Sequence, residues 1–145
     1  MRARAAGMAA ATLVVAAVPA ADAARKPLSY QGFTSQGHQI AFKRSSAGVF
    51  SMKIAIQARC LNDQGQNQGD YDFSLRAVDT VADAVKRGRF MVRLAGDKKT
   101  PDATIKGTIN SRGVARGTIV AVGRVTDPSD IGTCRSGTVR WTAGP

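Results

Sequence analysis

The sequence predicts an all-β chain: a single-domain antiparallel β-sandwich, jelly-roll-like, of eight or nine strands. Three observations carry that prediction. All ten acidic residues among the 145 are Asp, so Glu is absent, and Gly, Thr, Ser and Val fill the body of the chain, a composition poor in helix formers. Short apolar alternations, separated by Gly, Asn, Asp and Ser, give the period-two signal of half-buried strands. These runs follow one another at roughly 8–15 residues, the spacing of a sandwich or barrel rather than of strands interleaved with helices.

The first 23 residues stand apart and read as a secretory leader. Arg2 and Arg4 precede an apolar run at 8–18, Pro19 ends it, and Ala21-Asp22-Ala23 supplies a small-x-small cleavage pattern, with Val18-Pro19-Ala20 as a weaker site. The run is shorter than the roughly 20 residues a membrane-spanning helix needs. The arginines are not adjacent, so a twin-arginine signal is unsupported, and no lipid-accepting Cys follows. The expected organisation is a signal peptide at 1–23 and one secreted domain at 24–145. The formal net charge is +11, and removing Arg2, Arg4 and Asp22 lowers it by one, so the basic excess belongs to the domain.

Within the domain, Leu28-Ser29-Tyr30 opens the first strand, Ser35-Gln36-Gly37 turns, and Ile40 and Phe42 share a face of the second. Phe50, Met52, Ile54 and Ile56 point one way in the third, and Cys60 keeps their parity. Residues 61–72 are polar and aperiodic, hence a long loop, after which Phe73, Leu75 and Ala77 restart the alternation. At 79–87, Asp79 as N-cap and Gly88 just past the end favour a short helix, against a strand running into a turn at Arg87-Gly88. Phe90, Val92 and Leu94 form the next strand. The runs at 103–110 and 114–122 are hairpin arms joined by Ser111-Arg112-Gly113. Residues 126–132 are a loop, and Val139 and Trp141 belong to the last strand. Ile105, Ile109 and Ile119 complete the expected core.

Cys60 and Cys134 are the only cysteines, and in an oxidising compartment an isolated pair reads as a disulfide. Cys134 has the opposite parity to Val139 and Trp141, so all three reach the core only across a bulge at Arg135-Ser136-Gly137. Trp141 is then expected near the bridge.

The catalytic inventory is thin. His38 is the single histidine, there is no Gly-x-Ser-x-Gly elbow, and no Walker A or dinucleotide fingerprint occurs. Two thiols and one His without CxxC spacing make no zinc site. The expectation is therefore no cofactor, no metal and no catalytic residue. Three alternatives compete. Asp70 and Asp72 share a strand face about 7 Å apart, a separation open to a glycoside hydrolase. The same loop offers Asn62, Asp63, Asn67, Asp70 and Asp72 as oxygen ligands for calcium, without the spacing of an EF-hand. An exposed 62–70 loop would also suit a protease inhibitor.

What stands out globally is basic charge. Arg89 and Arg93 share the outward face of one strand, and Arg112, Arg116, Arg124 and Arg140 lie on other strands or turns. Arg89, Arg93, Arg112, Arg116 and Arg140 are the candidate anionic-ligand residues. Nucleic-acid binding adds exposed aromatics, of which only Tyr30 and Tyr71 look available, so no specific nucleic acid is expected. The runs Cys134-Arg-Ser-Gly-Thr-Val-Arg-Trp141-Thr-Ala, Ile105-Lys-Gly-Thr-Ile109, Gly113-Val-Ala-Arg-Gly-Thr-Ile119 and Ser35-Gln-Gly resemble a group of small secreted bacterial β-rich proteins of unassigned function. That resemblance implies a disulfide-pinned sandwich and no activity. The resulting expectation is a secreted, monomeric, non-catalytic protein that binds an anionic cell-wall or glycan polymer through a basic face.

Overall fold

The computed structural model describes residues 26–46, 48–77, 85, 87–127 and 129–145. Among these residues eight strands follow in order: β1 (Leu28–Thr34), β2 (Gln39–Ser45), β3 (Gly48–Leu61), β4 (Asn67–Ala77), β5 (Arg89–Leu94), β6 (Asp102–Ile109), β7 (Ala115–Val125) and β8 (Gly132–Gly144). The all-β expectation and the strand number hold, but the two-layered sandwich does not. All eight strands lie in one antiparallel sheet ordered β4-β3-β2-β1-β8-β7-β6-β5, whose end strands β4 and β5 approach each other, so the sheet coils into a barrel around one core. Alternation fixes which side chains face inward but is silent on whether the inward face meets a second sheet or its own continuation. The leader at 1–23 lies outside the described residues. So does the helix expected at 79–87, apart from positions 85 and 87. Arg87 and Gly88 have φ of 51° and 76°, a left-handed pair that turns the chain into β5.

Three hairpin tips share one construction, which the sequence writes as Thr or Asn followed three residues later by Gly: Thr34/Gly37, Asn62/Gly65 and Asn110/Gly113. In each, the first residue's N–H donates to the carbonyl four residues on, and the glycine N–H donates back to the first residue's carbonyl. The Thr34 Oγ1, Asn62 Oδ1 or Asn110 Oδ1 then accepts two further backbone N–H groups. The glycines sit at φ of 82°, 76° and 80°, which completes a three-residue turn ending in a left-handed residue. This construction shortens the expected 61–72 loop to 62–66, and β4 begins at Asn67.

The hairpin of β1 and β2 is a wedge. On one side β1 pairs with the end of β8, Phe33 opposite Thr142, and on the other β2 pairs with β3. Beyond its tip β3 and β8 pair directly, Cys60 opposite Cys134, and those two residues form the disulfide with their Cα atoms 3.9 Å apart. The gap at the fork is filled from the tip: the Gln36 amide donates to the Gln57 carbonyl and accepts from the Gln57 N–H, each at 2.9 Å, a side chain standing in for a strand. Ser35 pairs with the Arg140 backbone on the β8 side.

Both fork strands are bulged. In β8 the register against β7 shifts between Val120 and Val122, at the expected Ser136-Gly137, and the Ala121 N–H left without a ladder partner donates to Ser136 Oγ. Cys134, Val139 and Trp141 are thereby all buried. In β3 the shift falls between the partners of Ala41 and Lys43, beside Ser51 at φ 50°. That bulge puts Val49 inside and turns Phe50 to the half-exposed face, which corrects its assignment to the core; every other expected core residue is buried. Trp141 is also displaced from expectation. It packs on Phe42 and Phe90, at ring-centroid distances of 5.9 and 6.0 Å, and stands seven residues from Cys134, roughly 20 Å along the strand.

Candidate functional site

The inward row Phe90, Gly107, Gly117 and Trp141 crosses β5 to β8. Its two glycines are there for space. A Cβ at Gly107 would meet the Phe90 ring, and one at Gly117 would meet the Lys106 carbonyl and the Trp141 indole. The backbone of this row is also the floor of a shallow groove on the outer surface, about 790 Å³ in volume, running across the strands.

The groove's walls are the outward rows on either side. One is Arg89, Thr108, Arg116 and Thr142; the other is Met91, Lys106, Thr118 and Arg140. Each strand contributes one cation, and the four alternate between walls: Arg89 and Arg116 on one, Lys106 and Arg140 on the other. Cations on the same wall are two strands apart, about 10 Å. Among the described residues no acidic side chain lines the groove, and none of the four cations is in an ion pair.

Of the expected anion-binding residues, the structure brings together Arg89, Arg116 and Arg140. Arg93 is exposed one outward position further along β5, outside the groove, and Arg112 is exposed at the tip between β6 and β7. Lys106 was missed, although its place opposite Met91 follows once the β5–β6 register is known. The aromatic reading is reversed. Tyr30 is 1% exposed and stacks on Phe42 with ring centroids 4.7 Å apart, Tyr71 is half-buried, and Phe33 is 61% exposed on the outer face. Beside it, Gly32 lies so close to β8 that a Cβ there would strike the Thr142 carbonyl.

Arg124 is separate from the groove. It bridges Asp63 at the β3–β4 tip and Asp130 in the β7–β8 loop. Hydrogen bonding and charge from Arg124 hold the Asp63 carboxyl below its ordinary value, and the two aspartates hold the Arg124 guanidinium above its own. Asp97 is also lowered, first by the Lys99 N–H and then by the Thr100 hydroxyl.

The other candidates are dispersed. Asp70 and Asp72 are both exposed on β4; Asp70 pairs with Arg59 at 3.1 Å, and Asp72 lies 3.5 Å from the half-buried His38. Neither is shielded from solvent as the acid of such a carboxylate pair has to be. Among the described residues no three His, Cys or acidic side chains gather into a metal-binding group, and the ligands proposed for calcium are spread over a tight turn and a strand. The inhibitor-type loop is reduced to the turn at 62–66. No helix among the described residues is long and apolar enough to cross a membrane. A comparison of the chain with protein-family models, curated proteins and solved structures found no match.

Proposed function

We propose that this chain is a secreted, non-catalytic binding protein that holds an extended anionic glycan or cell-wall polymer across the outer face of β5–β8. The observation that carries this reading is the zigzag of Arg89, Lys106, Arg116 and Arg140 along one groove, one cation per strand, with no acid among the described residues that line it. Unpaired surface cations repel one another, and a polyanion laid along them relieves that repulsion while drawing ligand in over a Debye length of about 10 Å at 0.1 M salt. Thr108, Thr118 and Thr142 supply hydroxyls between the charges, suited to a hydroxyl-rich polymer. Arg93 and Arg112 extend the positive field without lining the groove. The leader-like 1–23 segment and the Cys60–Cys134 disulfide support an extracytoplasmic setting.

The test is retention of the full chain on an immobilised polyanion across a salt series. Strong retention at low salt, lost steeply as salt rises, is expected, with Arg89→Ser, Arg116→Ser and Arg140→Ser each eluting earlier and Arg59→Ser, remote from the groove, unchanged. Retention that is absent, insensitive to salt or indifferent to the groove arginines overturns the reading.

A further inference from the structure

One outward row continues past the groove with a two-strand period. From β5 to β2, directly opposed residues read Arg89, Thr108, Arg116, Thr142, Phe33 and Gln39. Cation and hydroxyl alternate, and then the exposed Phe33 ring takes the place the next cation would hold. Arg89, Arg116 and Phe33 are thus evenly placed, each two strands from the next, about 10 Å apart. Phe33 stands among Thr142, Gln39 and, two residues back on its own strand, Gln31, all exposed polar side chains. An exposed ring bordered by amides and hydroxyls presents a face for the C–H side of a sugar and partners for its hydroxyls.

Resting on the reading of the groove as a polyanion site, we propose that its ligand is an acidic polysaccharide bearing one anionic group on every second sugar, with Phe33 stacking on a sugar ring at the β1 end. An extended disaccharide repeat is close to two strand spacings, so successive acidic groups meet the cation pairs Arg89/Lys106 and Arg116/Arg140, each pair on adjacent strands, while the sugars between them lie over the threonines. A ringless polyphosphate matches the charge but leaves Phe33 without a role. A single-stranded nucleic acid calls for stacking rings at successive bases, and Phe33 is the single ring on this row.

The experiment measures binding of the full chain at fixed low salt to three probes of equal charge concentration: a polysaccharide with one carboxylate per disaccharide, inorganic polyphosphate, and a single-stranded oligonucleotide. The polysaccharide should bind tightest. Phe33→Ala should weaken it about fivefold, as expected for uncovering part of an aromatic ring, and leave polyphosphate binding unchanged. Phe33→Trp should restore it, and Arg116→Ser should weaken both. Phe33 is surface-exposed, so its variants should keep the parent's melting temperature and remain interpretable. Equal or tighter binding of polyphosphate or oligonucleotide, or a Phe33→Ala variant that holds the polysaccharide as well as the parent, overturns this proposal while the groove reading stands. Failure of all three probes to bind in a salt-dependent way removes both.

Discussion

Position 117 leaves no space for a methyl group between the Lys106 carbonyl and the Trp141 indole. Gly117→Ala should therefore lower stability by about 1–3 kcal/mol, the range of an overpacked core, in a thermal or denaturant melt. A variant as stable as the parent would show that the groove floor yields. Trp141 is the single tryptophan, buried on aromatic neighbours, and its Nε1 has no hydrogen-bond partner among the described residues. Its emission should be blue-shifted in the native protein and move red on unfolding, which makes it a direct report on the core beneath the groove; solvent-like emission from the folded protein would place the indole elsewhere. Asp63 supplies a pH signature. Its folded pKa lies below the ordinary 3.8 because Arg124 binds the carboxylate, so that contribution is present above the unfolded value and is lost as pH falls through the depressed folded one. Asp63→Asn should flatten the acid limb of the stability profile, and an unchanged limb would mean that the Arg124 bridge is idle in solution.

At the scale of elements, the fork between β3 and β8 is the one place where neighbouring strands are cross-linked covalently. The disulfide joins residues 74 apart, and the chain-entropy estimate for so long a loop is roughly 4–5 kcal/mol, comparable to the net stability of many small domains. A Cys60→Ser/Cys134→Ser double variant should lose about that much in denaturant midpoint measurements. A near-neutral result would show that wedge and ladders already hold the fork. Gln36 seals the same fork through the Gln57 backbone, so Gln36→Ala should cost about 1–2 kcal/mol for two lost hydrogen bonds. The hairpins were legible to different degrees. Ser111-Arg112-Gly113 read as a turn from sequence, whereas the same turn at Asn62/Gly65 was submerged in a polar stretch whose first strand residues, Asn67 to Asp72, carry no apolar alternation.

At the scale of the molecule, charge among the described residues is polarised along the barrel. Every aspartate among the described residues (Asp63, Asp70, Asp72, Asp97, Asp102, Asp127 and Asp130) lies toward the end formed by the β1–β2 and β3–β4 tips and the β5–β6 and β7–β8 loops. The ion pairs of Arg59, Lys99, Arg124 and His38 lie there too. The groove cations occupy the other half, where the described residues offer no compensating acid. Added salt should therefore raise the melting temperature at neutral pH by screening that repulsion, and a low-salt polyanion should raise it further. A melting temperature that falls with salt would mean that attraction at the acidic end outweighs repulsion at the basic one.

Period-two alternation determined the strands and nearly all of the core, because burial on one face of a strand is written locally in residues i and i+2. It also located the β8 bulge, since Cys134 and Trp141 could share the interior only if one residue were left over. It failed at Phe50, where Val49, Phe50 and Met52 are all apolar and either parity reads well until Ser51 takes a left-handed backbone. Only the tertiary structure decided that one sheet closes into a barrel instead of two sheets facing each other, and that Arg89, Lys106, Arg116, Arg140 and Phe33 fall into line. The line is a product of register between strands far apart in the chain. Register is fixed by turns, bulges and the fork, which no single strand's pattern contains.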